Sequence, residues 1–340
     1  MTPIRTIHVG ARGRGRWPVD LINDDPRFES VALVGREPEL LSDALESAGL
    51  NEDRAFTDLT TALEQVDCDA VIVATPVELH ARDLHTAFDA GKHVLVEKCL
   101  SNDWVEAKEL VDAADHAGVR LIVAQNYRFN PEWRALASAV DSGDYGEIGL
   151  VQMTVLKYRP APRQQDYPLA AFWDQGCHHV DAFQAVLGPV AEVTAHTYSA
   201  PWSRYRDDAA VLTLLRFQSG ATWVYDLSNL ARKFAVSCSL HSADGAFELT
   251  DPLAGSRWLW YPAAAGDDVA FGWNDAPIDV PVPLGPLTGE HGVLDAFHDA
   301  IVNGAETGID GRANLETLRV CEMVRRSVEL GRTVHRSEVV

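Results

Sequence analysis

The sequence contains no CxxC pair, and its cysteines are few and scattered: Cys68, Cys99, Cys177, Cys238 and Cys321. An odd number at such spacings argues against a disulfide framework and against a thiolate zinc site. Reduced side chains that pack as small hydrophobes are the expectation. No apolar run approaches the length that spans a membrane. A secretory leader, with its basic start and apolar core, is also missing, because Met1-Thr2-Pro3-Ile4-Arg5 leads directly into a strand pattern. A cytoplasmic location is therefore expected. Positive charge is scarce: 29 basic residues face 50 acidic ones, for a net charge of −21. Such a surface repels nucleic acid and anionic membranes, and neither is expected as a partner. Lysine is scarcest of all, at positions 92, 98, 108, 157 and 233 only. There is no internal repeat and no low-complexity tract.

What is present is a 340-residue chain with 46% hydrophobic residues. That is too long for one ordinary core, so two domains are expected. Ile4 to Val9 alternates as a strand and runs into Gly10-Ala11-Arg12-Gly13-Arg14-Gly15-Arg16-Trp17. Strand, glycine-rich turn and helix in this order can seat a pyrophosphate on the helix N-terminus. Gly10 suits the tight turn and Gly15 allows close helix–strand packing. Arg12 takes the middle position of G-x-G-x-x-G, leaving Gly13 to supply the close backbone approach. A second strand, Val31 to Val34, ends in Gly35-Arg36, where an acid that bonds a ribose 2′-hydroxyl is expected. An arginine in its place suits a 2′-phosphate, so NADP is expected to be preferred over NAD. The bland alternative is an ordinary loop arginine beside Glu37.

Strand and helix patterns alternate up to Leu121–Ala124, which implies a doubly wound parallel sheet. Within it, Val94-Leu95-Val96 is an apolar run followed by Glu97 and Lys98. Ligands bind at the carboxyl ends of such strands, and a lysine there can handle a proton. Alone, Glu97-Lys98 reads first as a solvated charge pair. After Gln125 the texture changes. Successive alternating runs from Leu150 to Tyr261 imply an α+β domain with a large, mostly antiparallel open sheet. Such a sheet leaves a face for subunit contact, so a homo-oligomer, dimer or tetramer, is expected. Gly266 to Gly289 reads as an irregular loop, and helical patterns follow at 292–303 and 313–330. The expected organisation is a dinucleotide-binding domain over 1–125 and a substrate-binding and oligomerisation domain over 126–311. The C-terminal helix, 312–331, can pack back on the first domain.

Between two of the strand runs lies Trp173-Asp174-Gln175-Gly176-Cys177-His178-His179-Val180-Asp181. On a helix, Asp174, His178 and Asp181 share one face. A carboxylate beside a histidine fixes its tautomer and raises its basicity, as a general acid or base requires. A structural hydrogen-bonded pair is the alternative. His178 and His179 are adjacent and diverge around a helix, so no metal site is expected. Tyr158, Arg159, Trp173 and Trp202 are candidate pocket-wall residues.

With Lys98 and the Asp174–Asp181 segment both in view, the chain resembles the glucose–fructose oxidoreductase/inositol dehydrogenase (Gfo/Idh/MocA) family. Ala74-Thr75-Pro76 with His80, and Ala90-Gly91-Lys92-His93-Val94 through Glu97-Lys98, are similar to that family's ATP-x₃-H and AGKHV-x-x-EKP motifs. Asp174-x-Gly176-x-His178-x-x-Asp181 is similar to its D-x-G-x-H-x-x-D motif, and Asn126-Tyr127-Arg128-Phe129 with Pro131 also fits. The resemblance implies a Rossmann domain, an open-sheet second domain, a nicotinamide cofactor, and a sugar or polyol substrate in a cleft between domains. It implies that Lys98, Asp174 and His178 are catalytic. It places Thr75, Pro76, His80, Glu97, Lys98 and Asn126 with Gly10, Arg12, Gly13, Gly15 and Arg36 at the cofactor. It places Asp181 on the substrate side with Lys98, Asp174 and His178, and Arg128, Tyr158 and Trp173 are further candidate substrate contacts. The sequence departs from the pattern at Arg12, at Gly35-Arg36, at Cys99 in place of proline, and at Ala170-Ala171-Phe172 in place of a glycine-rich run.

The expected function is that of an NAD(P)-dependent oxidoreductase acting on a secondary alcohol, or the matching ketone, of a sugar or polyol. Two alternatives stand beside it: an NAD-dependent glycoside hydrolase, and a catalytically silent nucleotide-binding protein.

Overall fold

The structure, a computed structural model, describes residues 2–162, 168–205, 209–250, 256–263 and 276–340. The first part of the loop expected from Gly266 lies outside the described residues. The chain forms two compact units: Met1–Asn126 with Glu290–Leu315, and Tyr127–Gly289 with Glu316–Val340.

In the first unit, β1 (Ile4–Val9), β2 (Phe28–Val34), β3 (Ala55–Phe56), β4 (Ala70–Val73), β5 (His93–Val96) and β6 (Leu121–Val123) form one sheet in the order β3-β2-β1-β4-β5-β6. Every neighbouring pair is parallel. Ala70 to Val73 and Val94 to Val96 are fully enclosed, because helices cover both faces of a parallel sheet. Those helices are α1 (Trp17–Asn23), α2 (Ser42–Ala48), α3 (Leu59–Gln65), α4 (Val77–Asp89) and α5 (Trp104–Ala117). Asp58 and Asp103 cap α3 and α5 by accepting backbone N–H groups of the first turn. The chain winds outward from β1 in both directions, so β1 and β4 flank the topological switch point, where ligands of such sheets bind.

The second unit holds α6 (Pro131–Ser142), β7 (Leu150–Tyr158), α7 (Cys177–Leu187), β8 (Val190–Tyr198), β9 (Ala210–Phe217), β10 (Thr222–Ser228), β11 (Leu230–Ser242), β12 (Gly245–Leu249), β13 (Trp258–Pro262), β14 (Ile278–Asp279) and β15 (Val334–His335). The strands order as β14-β13-β12-β11-β7-β10-β9-β8-β15. Only β7 and β10 pair in parallel. Buried and exposed positions alternate along β9, so this sheet has one covered face and one open face. The covered face is built on aromatic rings. Trp133 of α6 meets Phe183 of α7 at 5.0 Å, and Phe183 meets Trp223 of β10 at 4.6 Å. Trp223 in turn stacks on Tyr225 at 4.8 Å.

Two helices complete the chain, α8 (Gly289–Val302) and α9 (Gly311–Leu330). The return to the first unit comes earlier than expected, through Glu290–Leu315 and not through a helix at 312–331. The reason is packing. Phe297 stacks on Phe28 at 6.2 Å, Asp295 meets Arg27 at 2.6 Å, and the Val123 N–H donates to Ile309 O at 2.8 Å.

Candidate active site

The glycine loop is fixed by close contact with the end of β4. Gly10 has φ +86°, and a Cβ there would stand 2.7 Å from Ala74 O. A Cβ on Gly15 would stand 1.9 Å from Gly10 O, so only glycine fits either position. Gly13 differs: its φ is +57° and no atom lies within 4 Å of an added Cβ. The loop therefore opens at Gly13, as a backbone that receives a phosphate requires. Arg12 and Arg36 are exposed, and neither side chain has a partner among the described residues.

Glu97, nearly buried, links this loop to β5. Its Oε1 accepts from Trp17 Nε1 at 2.6 Å and lies 3.3 Å from Arg14 Nε, while Oε2 accepts from the Lys98 N–H at 3.2 Å. Arg14 also reaches Glu290, which accepts from Asn126 Nδ2 at 2.9 Å. Glu97 thus braces the loop. Lys98 is half-buried at the carboxyl end of β5, and its peptide bond to Cys99 is cis. Asn126, just past β6, has a buried Oδ1 without a hydrogen-bond partner among the described residues. Thr75 donates its hydroxyl to Asp83 at 2.9 Å. His80 was expected at the cofactor. It is instead enclosed, with ring nitrogens 2.9 Å from Thr75 O and 3.2 Å from Leu100 O. Burial lowers its pKa against the pull of those carbonyls. His80 clasps the turns after β4 and β5 and leaves no nitrogen for a ligand. Pro76 is exposed at the start of α4.

In the second unit the helix expected over Asp174–Asp181 is not regular. Phe172–Gly176 is a π turn that leads into α7. Such turns recur at functional sites. A Cβ on Gly176 would press on the Phe172 ring at 2.9 Å, so glycine permits the turn. Asp174 is 46% exposed and accepts from Arg159 Nη1 at 2.8 Å. Gln175 accepts from Lys157 Nζ and donates Nε2 to Tyr127 Oη at 2.9 Å. Tyr127 lies over the His178 imidazole, with ring centres 4.3 Å apart.

Four substrate expectations change. Asp181, 1% exposed, receives Arg128 through two bonds at 2.6 and 2.9 Å and the Thr317 hydroxyl at 3.2 Å. Burial raises its pKa, opposed by Arg128 and Thr317. Asp181 and Arg128 serve each other, and removing one partner of such a pair typically costs ~3–5 kcal/mol. Trp173 is enclosed in the core. Tyr158 stands on the outward row of β7, because strand side chains alternate, and Arg232 covers its ring at 4.6 Å. Trp202 shares that arginine at 5.2 Å. His179 points elsewhere than His178, bonding Tyr225 Oη at 2.7 Å, and burial lowers its pKa to about 3. Tyr127, Lys157 and Gln175 were not foreseen. Lys157 had a signal: it interrupts the apolar row Val151-Met153-Val155.

The parallel sheet and the glycine loop of the first unit define a nucleotide-binding architecture. Residues 4–125 match the model of an oxidoreductase family with an NAD-binding Rossmann fold, and residues 133–248 match the GFO/IDH/MocA C-terminal domain. The chain belongs to the Gfo/Idh/MocA oxidoreductase family. It is 28% identical to a 4-carboxy-2-hydroxymuconate-6-semialdehyde dehydrogenase from Sphingobium sp. over 56% of this chain, and spans 62% of that protein, less than two thirds of its length. It is 29% identical to an inositol 2-dehydrogenase from Leifsonia xyli subsp. xyli, over 76% of this chain and 77% of that one. Among solved structures, an aldose-aldose oxidoreductase from Caulobacter crescentus shares the fold. Its TM-score is 0.83 at 22% identity, covering 98% of this chain and 99% of that one.

Proposed function

We propose that this protein transfers a hydride between a nicotinamide cofactor and a secondary alcohol, or the matching ketone, of a sugar or polyol. The observation that carries the reading is Glu97. One carboxylate bonds the glycine loop through Trp17 and Arg14 and also the backbone of Lys98, so loop and lysine form one hydrogen-bonded assembly. The open backbone at Gly13 and the orphaned Asn126 Oδ1 suit such a cofactor. When bound, the nicotinamide supplies the hydride acceptor or donor. His178 takes the hydroxyl proton on oxidation and returns it on reduction. Tyr127 and Asp174 hold and polarise that histidine, and Lys98 carries the positive charge that offsets the developing alkoxide. Arg36, exposed and without a side-chain partner among the described residues, favours a 2′-phosphate, and hence NADP over NAD.

The test is a panel of sugars and polyols incubated with each cofactor and followed by absorbance of the reduced nicotinamide. Net reduction with a free sugar or polyol supports the reading. Cleavage of glycosides with no net change in the cofactor would replace it with the hydrolase alternative. We also infer a homo-oligomer: the outward row of β9 carries Leu212 and Leu214, each nearly half exposed. Sedimentation velocity at micromolar protein tests this, and a monomer overturns it.

A further inference from the structure

The central strand of the second unit changes character along its inward row. Val151, Met153 and Val155 are buried, and strand alternation puts Lys157 and Arg159 next in the same row. Arg159 continues the extended path, its N–H donating to Asn229 O at 2.7 Å. Three apolar side chains therefore give way to two cations, both half-buried, where the core face meets the π turn. Lys157 reaches Gln175 and Arg159 reaches Asp174, consecutive residues of that turn. The positive charge of Lys157 also adds to the burial that keeps His179 neutral. In a chain of net charge −21 with only five lysines, two cations follow one another in this row, and Asp174 offsets part of the Arg159 charge.

We infer that the substrate carries a carboxylate, as a sugar acid or polyhydroxy acid does, and that Lys157 and Arg159 recognise it. The inference rests on the proposed oxidoreductase reading and narrows its substrate class. A cationic wall draws an anion inward and orients it through charge-assisted hydrogen bonds. Neutral hexoses and inositols offer hydroxyls alone and gain little from two cations. Arg159 also bonds Asp174, so it cannot report on recognition independently. Lys157, which donates to the Gln175 amide, is the residue to change.

The experiment measures kcat/KM for D-glucuronate and D-gluconate against D-glucose and myo-inositol, in wild type and Lys157→Met, with both cofactors. The acid-to-neutral ratio is expected to exceed one in wild type and to fall about 10–100-fold in Lys157→Met, the size of one lost charge-assisted bond. It should also fall as salt is raised. A ratio at or below one in wild type, or unchanged by the substitution, overturns the inference. Binding of D-gluconate by calorimetry separates the two proposals. Gluconate that binds wild type, weakens in Lys157→Met, and is never oxidised would preserve carboxylate recognition while the hydride-transfer reading fails. Gluconate that neither binds nor reacts overturns the inference, and turnover of neutral polyols alone would leave the hydride-transfer reading intact.

Discussion

Tyr127 lies nearly parallel to His178, with ring centres 4.3 Å apart and 13° between the planes. The Gln175 amide holds the phenol hydroxyl, so a side chain from the π turn fixes the ring that fixes the imidazole. Aromatic pairs of this kind contribute ~0.5–1.5 kcal/mol beyond area burial. If the stack orients the base, Tyr127→Ala should lower kcat by roughly 3–10-fold and alter the pH profile of kcat, an effect of the size of that pair energy. Tyr127→Phe keeps the stack and should keep most activity. A Phe variant as impaired as Ala would assign the effect to the hydroxyl.

Lys98 and His178 can be tested as a pair. Lys98→Met should reduce kcat by ~10²–10⁴-fold, the range of a lost charge stabiliser or proton-handling group. Cofactor affinity, read by fluorescence, should change little. His178→Ala should act similarly, and the double variant should be scarcely worse than either single one, because groups sharing a task are not additive. Weak cofactor binding in Lys98→Met with normal turnover at saturation would make Lys98 a binding residue only.

Arg36 sets the cofactor expectation. It lies two residues past β2, with no side-chain partner among the described residues. Charge-assisted bonds to a 2′-phosphate are worth ~1.5–3 kcal/mol, so NADP should bind about 10–100-fold more tightly than NAD. Arg36→Ala should remove most of that margin. Equal titration curves for the two cofactors in the wild type would refute the preference.

Two histidines make stability depend on acid. His8, bonded to Thr6 and Ser30 inside the first unit, and His179, bonded to Tyr225, are both lowered by burial to about 3. The unfolded values lie near ~6.5, so the unfolded chain takes up these protons first. Their contribution is complete above about pH 6.5 and is lost progressively toward pH 3, at ~1.4 kcal/mol per pH unit for each histidine. Denaturant titrations between those limits should show a shallower slope for His8→Gln, by one proton. An unchanged slope would mean that His8 titrates normally in the folded protein.

Much of the fold was legible because its elements are long and strongly patterned. The apolar runs at Ala70–Val73 and Val94–Val96, separated by an amphipathic helix that stops before Gly91, permit little besides a parallel sheet. The two-residue strands β3, β14 and β15 were not legible, since two residues have no period. At the site, glycine spacing anticipated the close packing of Gly10 and Gly15. The π turn was hidden because its hydrogen bonding depends on Phe172 packing against Gly176. The Arg128–Asp181–Thr317 connection was hidden for another reason. Residues so far apart in sequence show no local pattern that announces their meeting.

Neither unit is made from one continuous stretch. Residues 1–126 need Glu290–Leu315, and residues 127–289 need Glu316–Val340, which brings β15 to the edge of β8. On a ribosome the chain emerges in order. The first parallel sheet can pair its strands while most of the protein is still unmade, but the helix carrying Phe297 and the segment that bonds Val123 come long afterwards. The wide second sheet meets β15 only after Val334 and His335 have been made. Both units therefore stay incomplete until the segments after residue 290 have emerged, and their completion is timed together by the order of the chain.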